Sequence, residues 1–331
     1  MSIPQPHNAI IAVTLNCNAR CTMCDIWQND MHGEAGPEVF ARLPASLKDV
    51  NISGGEPFLR KDLPEILGAI KSTNPHARLV ISTNGFQPAR TKELLPAILA
   101  IDPKVALRVS IDGLDGTHDK VRGIPGGFKK CVQTLDLCHD AGIDDLGIGF
   151  TLLEQNVHEL EGVHRFAEAR GLQLSITIAT DSAIYFGAGK ESLRPQNSHA
   201  VRQAFAHVID AQLRKWDLKE NFRGWFNRTM LEYHESNKRP FSCDGGSGFF
   251  YMDSHANVFL CHILSVKIGN LIETPWDELW ASHEADMARE VAAHCDKCWL
   301  ICTGKAQIQE HKWQVGAEIL RDKFRAHLRR A

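Results

Sequence analysis

Three cysteines fall within eight positions in the stretch NCNARCTMCDIW, as Cys17, Cys21 and Cys24 in the spacing C-x3-C-x2-C, and the next cysteine is Cys131. Cysteines this close together in a chain without an export signal point to a metal site. A structural zinc site wants four ligands, and iron–sulfur clusters are usually held by four thiolates. Three local thiolates therefore leave one coordination position for another group, which His32 could fill in a small zinc site. A second set lies far downstream: Cys243, Cys261, Cys295 and Cys298, spaced C-x17-C and then C-x2-C. Spacing alone suits tetrathiolate zinc there as well as an iron–sulfur cluster.

Ten cysteines in 331 residues would not surprise in a secreted disulfide protein. The opening MSIPQPHNAIIAVTLN, however, lacks a basic region followed by a long apolar run, and most cysteines cluster. Metal sites in a reducing, cytoplasmic setting are the expectation. A formal charge of −3, with 44% hydrophobic and 23% charged residues, describes an ordinary globular chain and names no nucleic-acid partner. No run approaches the ~18 apolar residues of a membrane span.

The elements that must hold the first cysteines are strands alternating with helices. Candidate strands are AIIAV from Ala9, VNIS from Val50, RLVIST from Arg78, VALRVSI from Val105, LGIGFTLL from Leu146 and LQLSITIA from Leu172. Helical stretches such as KDLPEILGAIKST and FKKCVQTLDLCHDAG lie between, the latter closing at Gly142 as a C-cap. Six such units imply an α/β fold with a parallel sheet, an open or partial barrel whose ligands belong at the carboxyl ends of the strands. Cys17, Cys21 and Cys24 follow the first strand, at that end. Cys131 and Cys138 share a helix face with Phe128 and Leu135 and read as packing. A helix is expected from Ser198 to Trp216. GFFYMDSHANVFLC reads as a hairpin, and Thr274 and Pro275 as the N-cap and first position of a further helix. From Lys305 the chain reads as one long helix with a basic end at Arg321, Lys323, Arg325, Arg329 and Arg330, a solvated end that complements the helix dipole.

C-x3-C-x2-C after a first strand resembles the signature of the radical S-adenosylmethionine (SAM) enzymes. In that family three cysteines bind a [4Fe-4S] cluster, and the amino and carboxylate groups of SAM complete the fourth iron. Further motifs agree, each at a strand end. Gly54, Gly55 and Glu56 of GGEP resemble the motif that receives the SAM ammonium, the glycines admitting close backbone approach and Glu56 accepting. Ser82 and Asn84 of STNG resemble positions facing SAM, as do Ser110 and Asp112 of SIDG, the carboxylate suiting a ribose hydroxyl. Arg122 resembles the arginine that pairs with the methionyl carboxylate. The resemblance implies a partial (β/α)6 TIM-like radical SAM barrel over residues 8–216, which cleaves SAM to a 5′-deoxyadenosyl radical with electrons from a flavodoxin- or ferredoxin-type donor.

The segment from Cys243 to Cys302 resembles the cysteine-rich α+β domain of the SPASM/twitch subfamily, including an Ile-Gly-Asn-Leu step at residues 268–271. It implies a domain over 217–304 carrying one auxiliary [4Fe-4S] cluster on Cys243, Cys261, Cys295 and Cys298, and a terminal helix over 305–331. His262 stands where related enzymes have an acidic base, so it is a candidate for removing a substrate proton. Cys302 is an alternative ligand, a hydrogen-atom donor or a buried small residue. With 16 residues ahead of Cys17, no leader-recognition domain is expected there, which favours a small-molecule substrate such as a sugar or aminocyclitol over a peptide. The expected outcome is dehydrogenation, with radical epimerisation through a thiol, or modification of a peptide, as the alternatives. A non-catalytic zinc or redox-sensing protein is the reading from another class.

Overall fold

In the computed structural model, the described residues are 3–29, 32–180, 182 and 194–328. Nine strands form one sheet: β1 Asn8–Thr14, β2 Asp49–Gly54, β3 Arg78–Thr83, β4 Ala106–Ser110, β5 Leu146–Leu152, β6 Gln173–Ile178, β7 Phe249–Met252, β8 Asn257–Phe259 and β9 Lys267–Asn270. Their order is β6-β5-β4-β3-β2-β1-β7-β8-β9, and the first six are parallel, each joined to the next through a helical crossover. This is the α/β partial barrel the strand pattern predicts, and all six predicted strands are present.

Alternation along these strands decides what faces the barrel interior. In β2, Val50 and Ile52 are fully buried against the outer helices, whereas Asn51 and Ser53 are less buried and line the interior cavity. Ser82, Ser110, Thr151 and Thr177 do the same on β3 to β6. A period of two puts small polar groups inside while apolar ones pack under the helices. Below them, Arg78 bridges Asp49 at 3.2 Å and Asp145 at 2.7 Å, and Arg108 bridges Asp145 at 2.7 Å. Lys305 adds a bond to Asp49, tying the C-terminal region to the barrel base.

The hairpin continues the barrel sheet. β7 pairs in parallel with β1, from Asn8 opposite Phe249 to Ile11 opposite Met252, and β8 and β9 add antiparallel strands beyond it. β1 is buried at all seven positions, so it takes sheet partners on both edges.

Three helix boundaries differ from expectation. Pro275 occupies the N-cap position of Trp276–Trp280, and a new helix starts at His283 because the Ser282 side chain accepts from Ala285 N. The long terminal helix is two, Ile301–Glu310 and Lys312–Leu328, so Cys302 lies on a helix. Arg329 and Arg330 fall outside the described residues. The helix from Ser198 ends at Arg214, two residues short of Trp216.

Candidate active site

The cysteine loop leaves β1 and is clamped on two sides. Gly55 N donates to Thr14 O at 2.7 Å and Glu56 N to Asn16 O at 2.8 Å; Arg20 N and Thr22 N donate to Arg122 O and Val121 O at 3.0 and 2.9 Å. Glu34 accepts from Thr14 Oγ1 and Leu15 N at 2.9 and 2.6 Å. A Cβ on Gly54 would lie 2.2 Å from Thr14 O, and one on Gly55 2.1 Å from Asn16 O. In the chain as folded, these glycines admit the backbone of the cysteine loop, a use that GGEP alone did not show.

A cavity of about 290 Å³ opens beside the loop, lined by Cys17, Cys21 and Cys24 together with Gly54, Gly55, Ser82, Asn84, Ser110 and Arg122. His262, Cys302, Leu300 and Arg194 also line it, although they come from distant parts of the chain. Each of the three sulfurs receives an N–H: Ala19 N to Cys17 at 3.4 Å, Arg122 Nη1 to Cys21 at 3.7 Å, and Ile26 N to Cys24. Burial pushes the Cys17 thiol up to about 11 and Cys24 up to about 12, and raises Cys21 against the pull of Arg122. Buried thiols give up protons when a bound cation compensates the thiolate charge. Three half-buried sulfurs with N–H donors aimed at them fit an iron–sulfur cluster held by three protein ligands.

Two expected SAM contacts are placed elsewhere. Glu56 is fully buried, accepting from Phe58 N at 3.0 Å, Thr83 Oγ1 at 2.8 Å and Asn84 N at 2.6 Å. Burial pushes its carboxyl up to about 7 despite those donors. It ties the end of β3 to the GGEP turn and does not line the cavity. Asp112 is also fully buried; Oδ1 accepts from Thr151 N at 2.7 Å, and Oδ2 lies 2.5 Å from Arg122 Nε. The carboxylate aims Arg122, which faces both Cys21 and the cavity. His118 Nδ1 accepts from Asp112 N at 3.1 Å, and its Nε2 lies 3.5 Å from Cys131 Sγ. Cys131 donates to Asn84 O at 3.1 Å, so this core cysteine links the ends of the strands under the cavity.

His262 and Cys302 meet at the cavity wall, with Cys302 Sγ 4.0 Å from His262 Nε2. Burial pushes the imidazole down to about 4 and the thiol up to about 12, so both are neutral at pH 7. Arg194 is a lining residue the sequence reading passed over. Among the described residues its guanidinium contacts His234 Nδ1 and O at 3.4 Å and Asn237 Oδ1 at 3.1 Å, all neutral acceptors. Asn51, Ser53, Thr151, Thr177 and Thr180 were passed over too, although polar residues near strand ends signalled them.

The second cysteine group gathers outside this cavity. The Cys243 and Cys295 thiols share a hydrogen bond that raises Cys243 and brings Cys295 down to about 6. Cys298 lies within electrostatic range of both and of Cys261, and Cys302 within range of Cys298 and Cys261. Leu264 N donates to Cys261 Sγ at 3.3 Å, and Gly245 and Lys297 supply backbone donors to Cys243 and Cys295. Among the described residues, no three His, Cys, Asp or Glu side chains are placed to hold one metal ion. Four thiolates on zinc converge at about 2.3 Å from a common point, whereas those on a four-iron cluster each bind a different iron.

The Radical SAM superfamily model matches residues 11–167, the stretch holding the first cysteine group and the GGEP turn. Fe-coproporphyrin III synthase of Methanosarcina barkeri is 28% identical over 345 positions, spanning 90% of this chain and 82% of that protein. Sporulation killing factor maturation protein SkfB of Bacillus subtilis is 24% identical, spanning 92% and 71%. Among solved structures, native anSMEcpe with bound AdoMet superposes with a TM-score of 0.63 at 16% identity, over 90% of this chain and 88% of that one. Streptococcus suis SuiB bound to S-adenosylmethionine gives 0.63 at 15% identity, over 84% and 66%. These structures share the fold. Residues 11–167 belong to the radical SAM superfamily.

Proposed function

We propose that the protein cleaves S-adenosylmethionine reductively and uses the resulting radical to dehydrogenate a small substrate. One observation carries this reading: Cys17, Cys21 and Cys24 share a cavity with His262 and Cys302, which adjoin the second cysteine group. Cys17, Cys21 and Cys24 would hold a [4Fe-4S] cluster, which would supply the electron for SAM cleavage, and Cys243, Cys261, Cys295 and Cys298 would hold a second, which would supply an electron-accepting centre.

The chain's own residues do the rest. Arg122, fixed by Asp112, presents its guanidinium to the SAM carboxylate, while Ser82, Asn84 and Ser110 offer polar contacts along the wall. Thr180 and Arg194 are placed to hold the substrate, the arginine favouring one that carries an anionic group. His262, neutral at pH 7, takes the substrate proton at Nε2. A flavodoxin- or ferredoxin-type protein would deliver electrons in a reducing cytoplasm. Among the described residues, no helix is long and apolar enough to cross a membrane.

A second reading rests on Cys302. Its thiol stays protonated in the cavity wall, so a substrate radical could take that hydrogen and leave with inverted configuration. The relatives' names widen the substrate set to tetrapyrroles and peptides. The test offers the reconstituted protein a panel of an anionic aminosugar, iron coproporphyrin and short peptides, with SAM and dithionite in heavy water. A product two mass units lighter, formed with 5′-deoxyadenosine, supports dehydrogenation. An unchanged skeleton gaining one deuterium, lost in Cys302→Ala with iron retained, supports epimerisation and overturns it.

A further inference from the structure

Each cysteine group has one arginine whose guanidinium reaches a thiol sulfur, and the two charges are balanced differently. Arg122 Nη1 stands 3.7 Å from Cys21 Sγ, and Asp112 neutralises it through the 2.5 Å contact at Nε. Arg239 Nη1 stands 3.8 Å from Cys298 Sγ. Its other hydrogen bonds go to the backbone carbonyls of Phe241, Cys298, Ser242 and Thr303, and its Cζ lies 5.2 Å from the Trp299 ring centroid. Among the described residues, none of the hydrogen-bond partners of Arg239 is a carboxylate. Asp244 acts on Arg239 through space without a hydrogen bond to it, and Asp296 and Glu310 are the other acidic groups of this neighbourhood.

A positive charge beside an iron–sulfur cluster stabilises its reduced, more negative form, and a hydrogen bond to a ligating sulfur acts in the same direction. At a few ångströms in a partly buried site such a Coulomb interaction is large against thermal energy. The neutral Asp112–Arg122 pair gives the first group no comparable net charge.

We propose that Arg239 is a positioning residue for electron flow: its charge beside Cys298, which no carboxylate hydrogen-bonds among the described residues, raises the reduction potential of the centre on the second cysteine group. An electron leaving a substrate radical then has a downhill destination distinct from the centre that cleaves SAM. The inference rests on the reading of Cys243, Cys261, Cys295 and Cys298 as a cluster site.

The experiment isolates that site in the Cys17→Ala/Cys21→Ala/Cys24→Ala protein, reconstituted anaerobically with iron and sulfide. Arg239→Gln removes the charge and keeps an amide donor; Arg239→Lys keeps the charge. Iron content, thermal unfolding and an EPR-monitored redox titration are measured for each. The expected result is about four irons throughout, with the glutamine variant's midpoint lower by at least tenfold in electron affinity, about 59 mV for one electron. The lysine variant stays close to the parent. An unchanged midpoint in a fully loaded glutamine variant overturns the proposal and leaves the second cluster standing. Iron lost from the glutamine variant alone also overturns it, since Arg239 would then be a structural clamp. A parent protein that takes up no iron at this site refutes the cluster reading and the inference together.

Discussion

Gly55→Ala puts the clamp on the cysteine loop to a severe test. The new methyl would sit 2.1 Å from Asn16 O and 2.5 Å from Asn16 C, both backbone atoms with no side-chain freedom to escape. Ordinary van der Waals contact needs about 3.5 Å, so the loop would have to retreat by more than ~1 Å. That retreat breaks or stretches two hydrogen bonds, Gly55 N to Thr14 O and Glu56 N to Asn16 O. Two such bonds are together worth roughly 2 kcal/mol, and the residual clash adds overpacking strain of about 1–3 kcal/mol. Most of the cost is local, because the surrounding sheet draws its stability from a core elsewhere. The larger consequence is functional: Cys17 moves with Asn16, and a displacement of ~1 Å at a reacting centre can cost about 100-fold in rate. The assay is anaerobic iron uptake and 5′-deoxyadenosine formation, beside thermal unfolding as a control. The expected variant stays folded, loses iron from the first site and forms deoxyadenosine at least ~100-fold more slowly. Full iron and undiminished SAM cleavage would refute the claim that these glycines seat the loop.

Asp112→Asn leaves the buried Arg122 charge without its counter-ion, a change that typically costs about 3–5 kcal/mol; a lower melting temperature and weaker SAM binding by calorimetry are expected, and an unaltered protein would contradict the aiming role. His118 is held neutral, pushed down to about 4 by burial and by Arg122, so the unfolded chain binds its proton first as the pH falls. The stability it confers is full above its unfolded pKa of about 6.5 and is lost as the pH falls toward 4. Urea unfolding at pH 7, 6 and 5 should show this decline, less steep in His118→Gln. Arg194→Ala should raise KM for an anionic substrate tenfold or more, about 1.4 kcal/mol, with substrate-free SAM cleavage unchanged; an unaltered KM would remove Arg194 from the substrate site.

The barrel was legible because its strands carry two signals at once. In Val50–Ser53 the apolar residues mark the helix side and Asn51 and Ser53 the cavity side, and the cysteine spacing marks the end of the first strand. Polar residues at strand ends could not be sorted into those that face a ligand and those that serve the frame. Glu56 and Asp112 turn to the frame because their donors, Asn84 N just past β3 and Thr151 N in β5, arrive from 28 and 39 positions away. The same limit hid the joining of β7 to β1, a pairing across some 240 residues that the apolar runs NAIIAVT and FFYM permit but do not specify. Arg194 and Arg239 read as ordinary charged positions, and their significance lies in hydrogen-bond partners that, among the described residues, include no carboxylate. The break between Trp276–Trp280 and His283–Ala293 followed from Ser282, whose capping strength competes with a continuous apolar face.

The central claim is two iron–sulfur centres with separate duties. Anaerobic reconstitution, with iron counting and a 5′-deoxyadenosine assay under SAM and dithionite, tests it most directly when wild type is set beside Cys17→Ala/Cys21→Ala/Cys24→Ala. The account predicts about eight irons per chain, falling to about four in the triple variant with complete loss of deoxyadenosine. Zinc in place of iron, or a wild-type protein that never cleaves SAM, would contradict it.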